Sequence, residues 1–291
     1  MITLSNGHKF EYMVASGALG FFGEGWPWDK PFIWTGQLNP ALFTVVAKTI
    51  TFKPKRGNLR WYWPFGCIRF LEGGTLNAVG LTNPGSDWWS EKIRQGRGKG
   101  ISLVASFFSD SERASVELAL MATAIKTLPD IKAIEINASC PNTLAGVQKD
   151  ARTIIESCNK VKKNCPLPII LKLSVVHAEN LAYILPNIVD IVEAISINSV
   201  PWKVIFPNKR SPLERFGGGA VSGKIAQPYT WKFMQRLIDS TNIPVIAPSI
   251  WEYEDIAKVR AMGAKAVSFG SLFLRYPWRP TKFVKRDMAA G

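Results

Sequence analysis

Short apolar runs rich in β-branched residues recur along the chain, each bounded by polar residues, glycine or proline. Eight of them read as strands: Tyr12–Ala15, Thr44–Thr49, Ser102–Ser106, Ala133–Asn137, Ile169–Leu173, Ala194–Asn198, Pro244–Ala247 and Ala266–Phe269. Between most of them the apolar spacing lengthens to that of a helix. Ser111–Leu128 follows a Ser/Asp start that reads as a cap, and Asp150–Asn164, Ala178–Ile188, Thr230–Ser240 and Tyr253–Met262 carry the same period. Strands alternating with helices call for a largely parallel sheet with helices packed on it. Eight such units in 291 residues fit an α/β chain folded as one (β/α)8 TIM barrel domain over 1–291. The competitor is a doubly wound open sheet, but no GxGxxG follows the first strand. Two segments fall outside the repeat. Residues 53–77, rich in Trp, Gly and Arg, read as an excursion after the second strand, and 200–223 as a long loop after the sixth.

Composition narrows the class. A hydrophobic content of 47% suits a substantial core. The four cysteines, Cys67, Cys140, Cys158 and Cys165, form no CxxC pair, which points to a reducing, cytoplasmic setting. His8 and His177 are far apart, so neither a zinc site nor a self-contained iron–sulfur site is expected. The net charge of +14 admits an anionic substrate, an acidic partner or a nucleic acid, yet the basic residues are spread along the chain and a solvated surface is the simpler account. Residues 1–16 do not read as a signal peptide, and no uncharged apolar run reaches the roughly 18 residues of a membrane span. The aromatic segment Phe21–Trp34, with three tryptophans and three phenylalanines, reads as core.

The densest chemistry is INASCPNT, Ile136–Thr143. Its lead-in AIEIN alternates like a buried strand that ends at its carboxyl edge, and Cys140-Pro141-Asn142 is a turn signal. A thiol at a strand mouth, flanked by amides that donate and accept, is an acid/base candidate; a small buried cysteine in a turn is the plainer reading. In a barrel the carboxyl ends of the strands face one site. Those ends supply Ser16 and Gly17, Lys48 and Thr49, Asn137 with Cys140 and Asn142, Lys172, Asn198 with Ser199, Ser249, and Gly270 with Ser271; Asn77 follows the excursion. Four asparagines can saturate the edge of a small planar heterocycle, although any one of them alone is more often a turn former. Lysine in a barrel mouth is costly unless it meets an anion, so Lys48 and Lys172 point to an acidic ligand. The last two strand ends, with GGGAVSG (Gly217–Gly223) upstream, suit a phosphate.

Ten pieces then fall in one order from about Met13 to Leu274: ASGALGF, AKTIT, RGN, LNAVGLTNPG, EINASCPNT, LKLS, ISINS, GGGAVSG, IPVIA and VSFGSL. Together they resemble the dihydroorotate dehydrogenases, flavin-dependent enzymes of pyrimidine synthesis. The resemblance implies FMN across the barrel mouth, touched by Ala15, Ser16, Gly17, Lys48 and Thr49 on one side. Asn77, Asn137, Lys172 and Asn198 would lie beside it, and Ser222, Gly223, Ser249, Gly270 and Ser271 at its far end. Lys172 would favour the anionic reduced flavin. Asn77, Asn137, Asn142, Asn198 and Ser199 would surround the pyrimidine, with Lys48 and the backbone of Val79, Gly80 and Leu81 receiving its carboxylate. Cys140 would be the base that removes a ring proton, and a thiol with an ordinary pKa of about 8.5 implies activity rising with pH.

A cysteine base resembles the soluble class; the membrane-bound class has serine there, and the lack of an amphipathic N-terminal extension agrees. Soluble members resemble homodimers that use fumarate, or assemblies with a separate iron–sulfur subunit that pass electrons to NAD. One departure stands out. Where the family usually has a Gly-Gly-Ile phosphate turn, this chain has Ala247-Pro248-Ser249-Ile250, and Pro248 removes one N–H donor. Rival readings are the related barrels of dihydropyrimidine dehydrogenase and tRNA dihydrouridine synthase, and a degenerate paralogue that binds flavin without turnover. The usual motifs of the tRNA enzymes are missing, which disfavours nucleic acid.

Overall fold

The computed structural model describes residues 1–60, 63, 66–128, 130–138 and 150–290. A short antiparallel hairpin, β1 (Ile2–Thr3) with β2 (Lys9–Phe10), opens the chain. Then come β3 (Tyr12–Val14), β4 (Thr44–Val46), β5 (Ile68–Leu71), β6 (Gly74–Asn77), β7 (Leu103–Phe107), β8 (Ile131–Asn137) and β9 (Ile169–Leu173). The set ends with β10 (Ala194–Ile197), β11 (Val200–Pro201), β12 (Ala220–Gly223), β13 (Ile246–Ala247) and β14 (Ala266–Phe269). Eight of these form one parallel sheet in the order β10-β9-β8-β7-β4-β3-β14-β13. A parallel bridge between Ile195 and Val245 brings its two ends together, giving the (β/α)8 barrel expected.

Strand pleating decides which residues fill the barrel. Successive side chains point to opposite faces, so one set enters the barrel and the other meets the helices. Met13, Val46, Val104, Ala133, Ile170, Ala194, Ile246 and Ala266, one from each barrel strand, form a single buried cluster with Ile2, Leu4 and Phe10. The opening hairpin therefore plugs the barrel floor, at the end away from the strands' carboxyl termini. Adjacent positions such as Val14, Val45, Ile134, Leu171 and Val267 join Leu118, Ile154, Leu237 and Val259 of the surrounding helices in the main core.

The helices depart from expectation at their ends. The third-strand helix runs Ala114–Ile125, and no side chain caps it; Ser111 instead bonds Ser109, whose hydroxyl donates to Glu117 at 2.6 Å. Asp150 does cap Ala151–Asn164, accepting the Thr153 N–H at 2.7 Å. The segment expected as one helix over 178–188 is a succession of short pieces, Val175–Asn180, Leu181–Ile184 and Leu185–Asn187, because Pro186 lacks the N–H a continuous helix needs. The other two are Gln227–Ser240 and Glu254–Ala261.

Both segments outside the repeat hold strands. They pair as an antiparallel sheet, β11-β12-β6-β5, with Asn77 opposite Ala220 and Gly74 opposite Gly223. The strands are short and rich in glycine, which hid their alternation. Gly219 permits the close pairing: it has φ +78°, and a Cβ there would lie 2.6 Å from the Asn77 carbonyl oxygen. The expectation that Phe21–Trp34 is core is corrected. Phe22 is buried and Phe21, Phe32 and Ile33 pack against the core, but Trp28 is 41% and Trp34 80% exposed, because the segment forms a surface turn, Pro27–Asp29, and a short helix, Lys30–Trp34.

The floor plug yields a stability prediction. Phe10→Ala is expected to lower the unfolding free energy by about 3–5 kcal/mol, the range for a buried phenylalanine, read as a lower urea midpoint.

Candidate active site

Two residues beyond each floor position, the same pleat places a second inward ring. Ala15, Lys48, Ser106, Glu135, Lys172, Ser196, Pro248 and Ser268 occupy it by register. The interior thus changes from wholly apolar to mostly polar over one ring. Above it opens a cleft of about 1370 Å³, its mouth included, at the carboxyl ends of the strands. This is the place that a (β/α)8 barrel reserves for chemistry.

Two ammonium groups line the cleft. Lys48 and Lys172 are each only 7% exposed. Lys172 Nζ lies 3.4 Å from the Glu135 carboxylate, and Lys48 Nζ stands 5.7 Å from the centre of the Phe21 ring. Glu135 also accepts from Ser106 Oγ at 2.8 Å and Ser196 Oγ at 2.9 Å. Hydroxyls continue the network sideways: Thr49 Oγ1 is 2.9 Å from both Ser106 Oγ and Ser16 Oγ. Asn137 Nδ2 donates weakly to Thr49 Oγ1 at 3.4 Å, while its buried Oδ1 has no partner among the described residues. An acceptor left unmade in a buried place costs free energy and waits for a donor. Asn77 comes from β6 of the antiparallel sheet, and Asn198 sits just past β10, its Oδ1 accepting the Ser199 N–H at 2.9 Å.

Ser222, Gly223, Ser249, Gly270 and Ser271 form a serine–glycine part of the cleft lining. Ser249 adopts φ +63°, a left-handed conformation that favours glycine. It is held there from both sides: Gln227 Nε2 donates to its carbonyl at 2.9 Å, and Thr230 Oγ1 donates to its hydroxyl at 3.2 Å. Asp255 fixes the following turn by accepting the N–H groups of Trp251 and Glu252. The turn at 247–250 thus keeps a backbone suited to glycine while presenting a serine.

An aromatic rim borders the cleft. Trp26 and Trp28 stack with ring centres 5.5 Å apart, and Trp26 Nε1 donates to the Gly17 carbonyl at 3.0 Å. Leu59 and Ile68 complete this apolar side. Asp29 holds the segment by accepting the Trp26 N–H at 2.8 Å. Burial pushes the Asp29 carboxyl up to about 6, against the opposing effects of that N–H and of Lys30.

Nearly all of the site residues expected from the sequence share this one cleft. Ala15, Ser16, Gly17, Lys48, Thr49, Asn77, Val79, Leu81, Asn137, Lys172, Asn198 and Ser199 line it together with the serine–glycine part. Gly80 does not line it. Cys140 and Asn142 lie outside the described residues. The sequence reading missed Glu135, Ser106, Ser196, Ser268, Trp26 and Trp28. Glu135 was findable, because alternation through AIEIN puts it on the face of Asn137. Trp26 and Trp28 had no such signal, since they reach the cleft only through the fold of their loop.

Asp29 supplies a pH prediction with a defined sign. Its folded pKa lies above the unfolded carboxyl value of about 3.9, so folding favours the protonated form. Its contribution is full below the unfolded value and is lost as pH rises through about 6. Asp29→Asn is expected to flatten the dependence of the urea midpoint on pH over that window.

The sequence model of the dihydroorotate dehydrogenase family matches residues 7–287. The chain is 34% identical over 282 residues to "dihydroorotate dehydrogenase A (fumarate)" of Lactobacillus delbrueckii subsp. bulgaricus, an alignment covering 90% of this chain and 83% of that protein. The enzyme of the same description from Lactobacillus helveticus is 32% identical, with the same coverage. The "dihydroorotate dehydrogenase B (NAD(+)), catalytic subunit" of Geobacter sulfurreducens is 29% identical over 288 residues, covering 93% of this chain and 84% of that protein. A barrel with buried lysines and amides at its carboxyl mouth, matched over nearly its whole length, belongs to the dihydroorotate dehydrogenase family of oxidoreductases.

Proposed function

We propose that the chain oxidises dihydroorotate to orotate, with FMN as cofactor and Cys140 as the base. Membership of the family makes it an oxidoreductase of pyrimidine biosynthesis. The observation that carries the finer reading is the meeting of two buried ammonium groups and three amides, Asn77, Asn137 and Asn198, in one cleft.

The residues present fit FMN. Asn137 lines the cleft, and its Oδ1 is a buried acceptor with no partner among the described residues, which an N–H of a flat polar ring would satisfy. Gly17 and Gly223 both line the cleft and carry no side chain to stand between their backbone and a ligand. Ser222, Ser249 and Ser271 give hydroxyl donors for a phosphate, and the Ser249 hydroxyl offsets the N–H that Pro248 lacks. We assign the flavin ring to the side of Ala15, Ser16, Gly17, Thr49 and Lys172, and the phosphate to the serine–glycine part.

In this reading the asparagines clamp the amide edges of the pyrimidine and hold its ring against the cofactor, which turns the encounter into a positioned reaction. Ser199 and Asn142 extend that clamp. Lys48 and the backbone of Val79, Gly80 and Leu81 receive the carboxylate. Lys48 also favours this substrate over pyrimidines without a carboxylate, because its ammonium lines the cleft and makes a charge-assisted bond with a carboxylate there. Cys140, as thiolate, takes a proton from the ring carbon beside the carbonyl. FMN, when bound, accepts the hydride that leaves the neighbouring carbon. The thiol and hydride steps together create the ring double bond of orotate.

The relatives divide by electron acceptor, and this bears on assembly. In this reading, use of fumarate would go with a homodimer and use of NAD with a separate iron–sulfur subunit; the Geobacter protein is described as a catalytic subunit.

Anaerobic mixing of the FMN-loaded chain with dihydroorotate is expected to bleach the flavin rapidly, and fumarate or NAD added afterwards will reveal the oxidant. Failure to bleach, with dithionite still effective, would reject the substrate. Cys140→Ala is expected to keep FMN bound and slow flavin reduction by about a hundredfold or more, the usual contribution of a general base. Reduction at the normal rate in that variant would remove Cys140 from the role.

A further inference from the structure

One carboxylate in the barrel interior has no part in the reaction above. Glu135 is 1% exposed, on β8 two residues before Asn137. Three donors from three other strands converge on it. Ser106 Oγ and Lys172 Nζ approach Oε1 at 2.8 and 3.4 Å, and Ser196 Oγ approaches Oε2 at 2.9 Å. An ionised carboxylate can only accept, and these partners can all donate. Lys172 lines the cleft whereas Glu135 does not, so the carboxylate stands behind the ammonium as seen from the ligand.

That placement has an electrostatic consequence. A lone buried ammonium presents a full positive charge to the cleft. With a carboxylate 3.4 Å away, the cleft faces a dipole whose field is weaker and falls off faster. Both groups are buried, so the cancellation is screened little. The hydroxyls of Ser106 and Ser196 hold the carboxylate from both oxygens and thereby hold Lys172 in place.

We propose that Glu135 is a positioning and charge-balancing residue, which anchors Lys172 beside the cofactor and, by partly cancelling its charge, sets how strongly the site favours the reduced anionic flavin. The inference rests on the reading of the cleft as an FMN site. Glutamine is the informative replacement. It keeps the shape of glutamate and can still accept from Lys172 and one serine while donating to the other, but it carries no charge.

The experiment measures the two-electron midpoint potential of bound FMN in wild type, Glu135→Gln, Lys172→Met and the double variant. Glu135→Gln is expected to raise preference for reduced flavin about tenfold, a rise of about 30 mV, and to tighten sulfite binding to the flavin. Lys172→Met is expected to lower both. In the Lys172→Met background, Glu135→Gln is expected to shift the potential less, because the ammonium that the carboxylate holds in place is gone. An unchanged or lowered potential in Glu135→Gln, or the same shift with and without Lys172, would overturn the proposal. If dihydroorotate still bleached the flavin in those samples, the functional reading would survive that loss. A wild-type chain that bound no FMN would overturn both.

A second measurement does not need a stable Glu135→Gln protein. Glu135→Asp, which draws the carboxylate back from Lys172 by one methylene and keeps its charge, is expected to raise the midpoint potential as well, by less than about tenfold in preference for reduced flavin, and an unchanged or lowered potential would overturn the proposal.

Discussion

Closing eight parallel strands into a ring forces every second residue of each strand into one shared interior, and everything at the site depends on that constraint. A floor of one apolar residue per strand, sealed by Ile2, Leu4 and Phe10, is buried and apolar throughout. One step of the pleat higher, the inward positions turn polar, with Lys48, Ser106, Glu135, Lys172, Ser196 and Ser268 in the same ring. The hydrophobic free energy gained at the floor and in the helix layer lets the upper rings carry groups that are expensive to bury.

The most expensive of these are Lys172 and Glu135. Desolvating two charges costs several kcal/mol per ion, and mutual attraction offsets this only when further hydrogen bonds satisfy both partners. Glu135 has two serine donors besides the ammonium, so its side of the pair is well satisfied. Lys172 is held at 3.4 Å, a loose contact for a charge-assisted bond, and keeps donor capacity facing the cleft. The asymmetry suits a cation that must answer both to its buried partner and to a ligand.

The roof is built differently. Asn77, Ser222 and Gly223 do not come from barrel strands but from an antiparallel sheet folded over the mouth, where β6 and β12 pair register by register. Gly219 and Gly223 allow that pairing because side chains there would collide with neighbouring backbone. Opposite them, Trp26 ties the aromatic rim to the first barrel strand's loop through the Gly17 carbonyl. Cleft-facing groups thus sit on paired strands and short braced loops, which restrict the side-chain freedom that would blur the site.

The sequence by itself determined the eight-fold alternation, and with it the barrel and the strand-end residues that meet in the cleft. Period-2 patterning is local, and in a closed parallel ring the end of every strand has one destination, so Lys48, Asn137, Lys172, Asn198 and Ser271 could be placed from the chain alone. The same period also contained Glu135, which went unread because a charged residue inside a strand has meaning only once its partners are known. Ser106, Lys172 and Ser196 approach it from three different strands, 29, 37 and 61 residues away. Tertiary structure alone decided that pairing, the antiparallel roof with its glycine-rich strands, the exposure of Trp28 and Trp34, and the left-handed turn at Ser249. Each depends on contacts between segments distant in the chain, and such contacts leave no local period to read.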